Sequence, residues 1–185
     1  MRYPNKIRKE NLNSIINYKN RGMSLENALN ITNKYYLDND IAVIYKKPTP
    51  IKVLNTMYKT GKKQMITEAY YQEKSTTDYN GIYKGKYIDF EAKETTNKLS
   101  FPLSNIHIHQ IKHIKRVLDH GGIAFIIVMF ASINKIYLMP GDILYKNKDN
   151  KRILLSQFEK DGYEIKEKAN LMIDYLKIID TLYII

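Results

Sequence analysis

The sequence predicts an α/β domain in which helices flank a central mixed sheet. Segments with strand-like and helix-like patterns follow one another along the 185 residues, an order typical of α/β folds. The apolar run IAFIIVMF at 123–130 has the continuous pattern of a strand that is covered on both faces. Two hairpin-like segments, at 51–72 and 82–93, precede that run and supply further strands.

The first 22 residues predict a basic arm ahead of the folded domain. They carry six Lys or Arg residues against one acid, Glu10, which is typical of solvated tails and of segments that bind polyanions. Ser24 then provides the N-cap of a helix that runs to about Leu37, with apolar side chains at three- and four-residue spacings. We therefore expect an arm at 1–22 and a single domain at 23–185.

A short strand and a long hairpin follow the first helix. The sequence IAVIY at 41–45 is apolar and β-favouring, and the PTP sequence at 48–50 interrupts regular structure. The segment at about 49–73 then contains two β-favouring arms around a Thr-Gly turn, which predicts a long hairpin. Its tip is basic and carries Lys59, Lys62 and Lys63.

The rest of the chain predicts a second hairpin and then a helix, two strands and a terminal helix. The hairpin turns at Lys84 and Gly85, and Ser104 is expected to start a helix that ends near Gly121. The central strand comes next, followed by KIYLM at 135–139 and a turn at PGD. Residues 169–185 have apolar side chains at helical spacing.

Composition narrows the classes of partner and chemistry. The formal net charge of +11 predicts a polyanionic partner, with nucleic acid ahead of an anionic membrane, although the excess of Lys, Asn, Ile and Tyr shows that AT-rich coding supplies part of it. The absence of cysteine excludes disulfides and thiolate chemistry. No signal peptide or bilayer-length apolar run is visible, so a cytoplasmic protein without a membrane partner is expected.

The segment YIDFEAKET at 87–95 places charges along one face of a predicted strand. Asp89, Glu91 and Lys93 occupy alternate positions, with apolar residues between them. Carboxylates that share a small volume repel each other unless a cation or a proton intervenes, and an adjacent ammonium can steady an attacking water. The row predicts a metal-dependent nuclease site; the alternative is the solvated face of an edge hairpin.

The second acid of such a site is either Asp89 or Asp78. Asp89 shares a strand with Glu91, whereas Asp78 precedes the hairpin, whose return brings it beside Glu91. We favour Asp78 and expect Asp89 to be solvated or supporting. On the second helix, Gln110 projects into the apolar arc, where its amide needs hydrogen-bond partners, either backbone groups or a metal-bound water.

Other catalytic motifs have little support. His109 and His113 have the i,i+4 spacing of a zinc pair, but no Glu stands between them in HExxH order and no third ligand is evident. The GKK sequence at 61–63 lacks the upstream glycine of a phosphate-binding loop. ATP use is therefore not expected.

Four segments are similar to the RecU family of Holliday junction resolvases from low-GC Gram-positive bacteria. They are RGMSLENALNITNKYYL (21–37), IAVIYKKPTP (41–50), STTDYNGIYKGKYIDFEAKET (75–95) and SFPLSNIHIHQ (100–110). The resemblance implies a restriction-endonuclease-like core with a protruding β-hairpin stalk, and a homodimer that cuts four-way DNA junctions during recombination and repair. It also implies a Mg²⁺ cofactor, which Mn²⁺ can replace.

The resemblance also implies roles for particular residues. Asp78, Glu91 and Lys93 match the catalytic acid, acid and lysine, and Thr76 and Gln110 would join the two acids around the metal. The residues that would contact DNA are Arg21, Lys46, Lys47, Lys59, Lys62 and Lys63. The stalk tip reads TGKK where the family has an arginine, and Lys does not reproduce the planar fork of Arg.

Two rival functions and a set of partners complete the expectations. A sequence-specific restriction endonuclease would cut linear duplex at a defined site, and a non-catalytic junction-binding or strand-annealing protein would bind DNA without nicking it. The acid–acid–lysine set favours an enzyme. A RecA-type recombinase and the branch-migration machinery are partners implied by the resemblance alone.

Overall fold

The computed structural model describes residues 24–59, 63–71, 76–166 and 173–183, so the predicted arm at 1–22 lies outside it. The helices of these residues are α1 (Leu25–Asp38), α2 (Ile108–Asp119), α3 (Gly141–Lys146), α4 (Leu155–Asp161) and α5 (Leu176–Tyr183). The strands are β1 (Val43–Lys46), β2 (Ile51–Lys59), β3 (Lys63–Tyr71), β4 (Tyr79–Tyr83), β5 (Lys86–Thr95), β6 (Ser100–Pro102), β7 (Ile123–Phe130), β8 (Lys135–Pro140), β9 (Arg152–Leu154) and β10 (Tyr163–Glu164).

A mixed sheet forms the centre of the molecule. Within the described residues it has six strands in the order β1-β4-β5-β7-β8-β10. Strands β5 and β7 are parallel, and the other neighbours are antiparallel. Helices α1 and α5 pack on one face, and α2, α3 and α4 pack on the other. The predicted α/β architecture with a mixed sheet between helices is confirmed, and β7 is the buried central strand that the apolar run predicts.

A stack of aromatic rings joins three neighbouring strands under α1. Phe90 of β5 lies between Tyr79 of β4 and Phe125 of β7, with centroid distances of 4.8 Å on both sides. All three side chains are buried, and each such burial stabilises the fold by about 1.5–3 kcal/mol. Because Asp78 and Glu91 directly adjoin Tyr79 and Phe90 in sequence, this stack gives them a rigid base.

Helix α1 begins where the sequence predicts, and its first turn is tied to β5. The Ser24 hydroxyl accepts a hydrogen bond from the Asn27 N–H at 3.3 Å, as an N-cap does. In addition, Glu94 Oε1 accepts the Leu25 N–H at 2.5 Å. A carboxylate at a helix N-terminus also interacts favourably with the helix dipole. The start of α1 is therefore held against the strand that carries Glu91.

The predicted start of the second helix at Ser104 is wrong. Ser104 lies in a short 3-10 turn, Leu103–Asn105, and α2 begins at Ile108. Leu103 and Ile106, at the start and just after the end of this turn, are buried. Their packing fixes the turn, so the helix begins only after it. His107 and Gln110 then form a capping box at the helix start. The PGD sequence likewise opens α3 at Gly141 instead of forming only a turn.

The long hairpin forms a sheet of its own. Strands β2 and β3 are antiparallel from the Ile51–Tyr71 pair to the Lys59–Lys63 pair, and within the described residues they pair only with each other. Many of its large apolar side chains are exposed, Tyr58 and Tyr71 most of all. The hairpin predicted at about 49–73 is therefore present, and its tip at 60–62 lies outside the described residues. No described helix is long and apolar enough to cross a membrane.

Candidate active site

The ladder between β4 and β5 places Asp78 across from Glu91. The last pair of this ladder is Tyr79 with Phe90, so Asp78 and Glu91 are the next residues along the two chains. Asp78 Oδ2 accepts the Ala92 N–H at 3.2 Å. Residues directly opposite each other in an antiparallel pair share a face of the sheet. Both carboxylates therefore project from the face that α2 covers.

Glu91 is fully buried and only half satisfied. Its Oε1 lies 2.5 Å from the Lys93 ammonium and accepts the Gln110 amide at 2.9 Å. Its Oε2 is buried without a hydrogen-bond partner among the described residues. The pKa of Glu91 is raised to about 7, mainly by burial and also by the charge of Asp78, while Lys93 and Gln110 act in the opposite direction. The carboxyl is therefore poised between its two charge states near neutral pH.

Gln110 reaches Glu91 from the first turn of α2. Its Nε2 donates to Glu91, while its Oε1 accepts the His107 N–H at 3.0 Å in the capping box. The side chain is buried, as its position in the apolar arc of the helix predicts. This orientation differs from the expectation that Gln110 ligates a metal, because the carbonyl oxygen faces the helix start. The amide instead holds one oxygen of Glu91.

Lys93 and Thr76 lie at the rim of the site. The Lys93 side chain is 26% exposed, so its ammonium contacts both the buried carboxylate and the surrounding solvent. Thr76 is exposed, and its hydroxyl accepts a hydrogen bond from Lys47 at 3.1 Å. Lys93 is therefore the solvent-accessible partner of the buried Glu91 carboxylate.

Asp89 is buried, so of the two expected states, solvated or supporting, the solvated one is wrong. Its Oδ2 lies 2.7 Å from the Lys47 ammonium and accepts the Tyr87 hydroxyl at 2.8 Å, and its Oδ1 accepts the Thr77 hydroxyl. A buried carboxylate is stable only where it is paired and hydrogen-bonded, and Asp89 meets both conditions. It therefore forms a second charged centre beside Glu91.

The lysines expected to contact DNA occupy different environments. Lys47 is 16% exposed and points inward to Asp89, which does not fit the expectation that it binds phosphate. Lys46 is 42% exposed and pairs with Glu26 of α1 at 2.5 Å, at the surface. Arg21, Lys62 and the side chains of Lys59 and Lys63 lie outside the described residues.

The two histidines considered as a zinc pair, His109 and His113, contact different residues. His113 Nε2 lies 3.3 Å from Asp89 Oδ2, whereas the His109 ring stacks on His107 with centroids 5.3 Å apart. Across the described part of the chain, no group of three or more His, Asp or Glu side chains is arranged to hold a metal ion. The described residues therefore do not form a metal site whose ligands all come from the protein, which is the kind that structural zinc occupies.

The acid pair does fit a hard divalent cation such as Mg²⁺. That ion binds one or two carboxylates and takes its remaining ligands from water and substrate phosphate. Asp78 and Glu91 supply the carboxylates, and among the residues that the structure describes no donor reaches Oε2 of Glu91. The donor set consists of oxygens, which suits Mg²⁺ or Mn²⁺ better than softer metals.

Sequence reasoning missed four residues that surround Asp89: Lys47 as an internal cation, Thr77, Tyr87 and His113. Two of them carried a usable signal. Tyr87 has the same parity as Asp89 in β5, and His113 follows Gln110 by three residues on one helix face. The inward turn of Lys47 had no such signal, since it depends on the pairing of β1 with β4.

Comparisons with known proteins show which family the chain is similar to. Residues 20–181 match the family described as RecU, Recombination protein U. The chain is 48% identical over 172 residues to the Holliday junction resolvase RecU of Bacillus mycoides (strain KBAB4), and equally to that of Bacillus cereus (strain G9842). Each match covers 90% of this chain and 86% of the relative. A solved structure of Archaeoglobus fulgidus Hjc, a Holliday junction resolvase, aligns with 10% identity and a TM-score of 0.40, over 71% of this chain and 90% of that one.

Proposed function

The chain belongs to the RecU family, and from this premise we propose that it is a Holliday junction resolvase, an endonuclease that nicks four-way DNA junctions. The observation that carries the proposal is the buried Glu91 carboxylate, which has one oxygen held by Lys93 and Gln110 and the other without a partner among the described residues. A buried acceptor without a donor costs free energy, and a catalytic role is one reason why a protein retains such a group. A basic chain with net charge +11 suits a DNA substrate.

Asp78 and Glu91 are proposed to hold the divalent cation, Mg²⁺ or in its place Mn²⁺. When bound, such an ion neutralises charge on a phosphate and makes a water molecule more acidic. Gln110 fixes Glu91 Oε1, so Oε2 would be the oxygen that is available to hold the ion. Thr76 completes the rim of the site beside Asp78.

Lys93 is proposed to bind and stabilise the phosphate that is cut. Its ammonium is paired with Glu91 at 2.5 Å and stays partly exposed, so it can donate to a phosphate oxygen or orient the attacking water without leaving its partner. A cation already in place where negative charge develops lowers the barrier, because no reorganisation is needed at that moment. Lys93 is therefore proposed to act as a hydrogen-bond donor to the phosphate or to the attacking water.

Contacts to the DNA backbone are proposed for the exposed basic residues. Lys46 lies at the surface, where it pairs with Glu26 of α1. Arg21 and the stalk lysines Lys59, Lys62 and Lys63 would extend the basic surface. Each phosphate contact that is lost should lower the slope of log affinity against log salt by roughly 0.9. The stalk is proposed to enter the junction centre.

The assembly is proposed to be a homodimer made of one nuclease domain at 23–185 and one basic arm at 1–22 per chain. A two-fold dimer presents two identical sites, which suits paired nicks in the two opposed strands of a two-fold junction. Because its DNA substrate is cytoplasmic in bacteria, we place the protein in the cytoplasm. A RecA-type recombinase and the branch-migration machinery are the partners that such a role implies.

Cleavage of synthetic DNA with and without Mg²⁺ tests the proposal. The wild-type chain should nick four-way junctions in preference to three-way and linear DNA, and chelation of the cation should abolish nicking. Glu91→Gln and Lys93→Ala should each lower the rate by about 10²–10³-fold or more. The matched controls are Glu159→Gln and Lys135→Ala, a surface pair at 3.2 Å on β8 and α4, which should cut normally.

The rival functions predict different results in the same assay. Cutting of linear duplex at one sequence, with no preference for junctions, would indicate a restriction-type endonuclease. Salt-sensitive junction binding with no cation-dependent nicks would indicate a non-catalytic binding or annealing protein. Full cleavage by a folded Glu91→Gln variant would refute the assignment of the site.

A further inference from the structure

The ammonium of Lys47 points into the protein, next to the candidate site. It donates to Asp89 Oδ2 at 2.7 Å, to Thr77 Oγ1 at 2.6 Å and to Thr76 Oγ1 at 3.1 Å. An ammonium has three N–H donors, and within the described residues Lys47 has three acceptors for them. Lys47 therefore uses its full donor capacity inside the molecule, which distinguishes it from the surface lysine Lys46 beside it.

The backbone of Lys47 holds the same segment that its side chain holds. Its N–H donates to the Asp78 carbonyl at 2.7 Å, just beyond the last pair of the ladder between β1 and β4. Lys47 thus contacts Thr76, Thr77 and Asp78 in turn. These three residues form the approach to β4, and they include the acid proposed to bind the cation.

Asp89 connects this segment to the helix on the other side of the site. It anchors Lys47 and Thr77, and it also lies 3.3 Å from His113 Nε2 on α2. His113 follows Gln110 by three residues, so the two side chains project from neighbouring turns of the same helix face. Asp89 therefore links three segments that each carry a site residue: the end of β1, the approach to β4, and α2.

We propose that Lys47 and Asp89 are a positioning pair for the cleavage reaction, which holds Asp78 and Gln110 in place around Glu91. The inference rests on the proposed function and assigns to neither residue a contact with the reacting atoms. The pair orients the residues that hold the cation, in the way that hydrogen-bonded outer residues orient metal ligands in other proteins. In addition, the Lys47 ammonium compensates the charge of Asp89. Without it, a third uncompensated carboxylate would lie close to Asp78 and Glu91.

Two simpler roles for Lys47 make different predictions. A lysine that contacts DNA contributes to junction affinity and to its salt dependence, but leaves the rate at saturating DNA unchanged. A lysine that only stabilises the fold lowers the thermal midpoint but leaves cation affinity and turnover of the folded protein unchanged. A positioning pair affects cation affinity and turnover while junction affinity stays the same.

The experiment compares Lys47→Met with Lys46→Met in the full chain. Lys34→Met is the neutral control, because Lys34 is an exposed lysine of α1 that pairs with Asp38. The readouts are the Mn²⁺ affinity by calorimetry without DNA, the junction affinity in Ca²⁺ at several salt concentrations, and the turnover rate at saturating junction with Mg²⁺. Circular dichroism and thermal unfolding report the folded fraction.

Lys47→Met is expected to lower Mn²⁺ affinity and turnover by about 10–100-fold each, with junction affinity and salt slope unchanged. Lys46→Met should instead lower the junction affinity and make the salt slope smaller by roughly 0.9, with Mn²⁺ affinity unchanged. Asp89→Asn should resemble Lys47→Met. The double variant should lose no more than either single one, because the two residues act as a unit.

If Lys47→Met does not fold, two variants that perturb the structure less can test the inference instead. Tyr87→Phe removes only a hydroxyl that donates to Asp89 from a side chain that is 41% exposed, and it should lower Mn²⁺ affinity several-fold, about 2–10-fold. Lys47→Arg keeps the charge but changes the donor geometry, so it should fold and recover part of the lost turnover.

The outcomes separate this inference from the proposed function. Wild-type turnover and Mn²⁺ affinity in a folded Lys47→Met or Tyr87→Phe variant would overturn the inference alone, since the wild-type chain would still cut junctions. A smaller salt slope for Lys47→Met with normal turnover would overturn it in favour of a DNA contact. A wild-type chain that cuts no junction in the presence of Mg²⁺ would overturn both.

Discussion

Glu91 shows how a single buried side chain can make a site responsive to both pH and cations. Its pKa of about 7 lies well above the ordinary 4.5, mainly because burial disfavours the charged form. The proposed cation binding uses the carboxylate, whereas burial favours the protonated form below about pH 7. Stability and function therefore place opposite demands on this residue, as is common at active sites.

The raised pKa predicts how stability varies with pH. Between about 4.5 and 7 the folded chain keeps a proton that the unfolded chain has released, so the free energy of unfolding decreases as pH rises through this window. The total change from this group is about 3 kcal/mol, at 1.36 kcal/mol per pKa unit. Its contribution is fully present below pH 4.5 and is lost above the folded pKa.

Glu91→Gln should remove this dependence, because the amide does not ionise. In urea unfolding with a chelator, the variant should gain stability relative to wild type between about pH 5 and about pH 8, by up to about 3 kcal/mol. The control Glu159→Gln alters an exposed carboxylate and should follow the wild-type curve. Parallel curves for Glu91→Gln and wild type would contradict the raised pKa.

The pairing of β1 with β4 depends on a residue without a side chain. A Cβ on Gly81 would lie 2.0 Å from the Val43 carbonyl oxygen and 2.6 Å from Ile44 Cα, both backbone atoms that cannot rotate away. The close approach of these strands places the end of β1, and so Lys46 and Lys47, next to the approach to β4. The strand pair is therefore part of the site's construction.

Gly81→Ala should destabilise the protein by about 3 kcal/mol, the upper end of the range for overpacking, because backbone must move. Displacement of β1 should also lower cation-dependent cleavage in the fraction that remains folded. Gly85→Asn is the matched control: Gly85 has φ +75° in open space, a conformation that Asn tolerates. Urea unfolding measures both, and an Ala variant as stable as the Asn variant would show that β1 is not held this closely.

At the scale of the whole molecule, the hairpin of β2 and β3 is separate from the sheet that carries the site. It makes its own two-stranded ladder within the described residues and exposes large apolar side chains such as Tyr58 and Met57. Isolated two-stranded hairpins gain little stability by themselves. Exposed apolar surface of this kind is typical of contacts with other molecules, here the proposed junction.

Removal of the hairpin should separate substrate selection from catalysis. A chain in which a short Gly-Asn turn joins Lys52 to Tyr70 should unfold at a temperature close to that of wild type, because the core strands are untouched. It should keep cation-dependent nicking but lose preference for four-way over linear DNA by about tenfold or more, roughly 1.4 kcal/mol. Competition cleavage with both DNAs in one reaction measures this.

A control with the hairpin intact distinguishes its presence from its apolar surface. The double variant Met57→Thr and Met65→Thr changes one cross-strand pair to β-favouring residues and should keep junction preference if the stalk acts by its shape and charge. Unaltered junction preference in the shortened chain would show that selection resides in the core domain.

The local pattern of the sequence determined five strands of the central sheet, the two hairpins and the Asp-Glu-Lys row with its partner Asp78; the short edge strand β10 was not predicted. Period-two alternation assigns side chains to faces of a strand, and a tight turn determines which residues lie opposite each other. These signals act over a few residues. They were sufficient to bring Asp78 to Glu91 across the turn at Lys84 and Gly85.

Only the tertiary structure decided the direction of Lys47, the burial of Asp89 and the start of α2. Lys47 and Asp89 are 42 residues apart, and Asp89 and His113 are 24 apart, so no local pattern encodes either contact. The charge of Lys47 alone suggested a surface role. Its inward position follows from the energy of pairing a carboxylate that the packed sheet and α2 have removed from water.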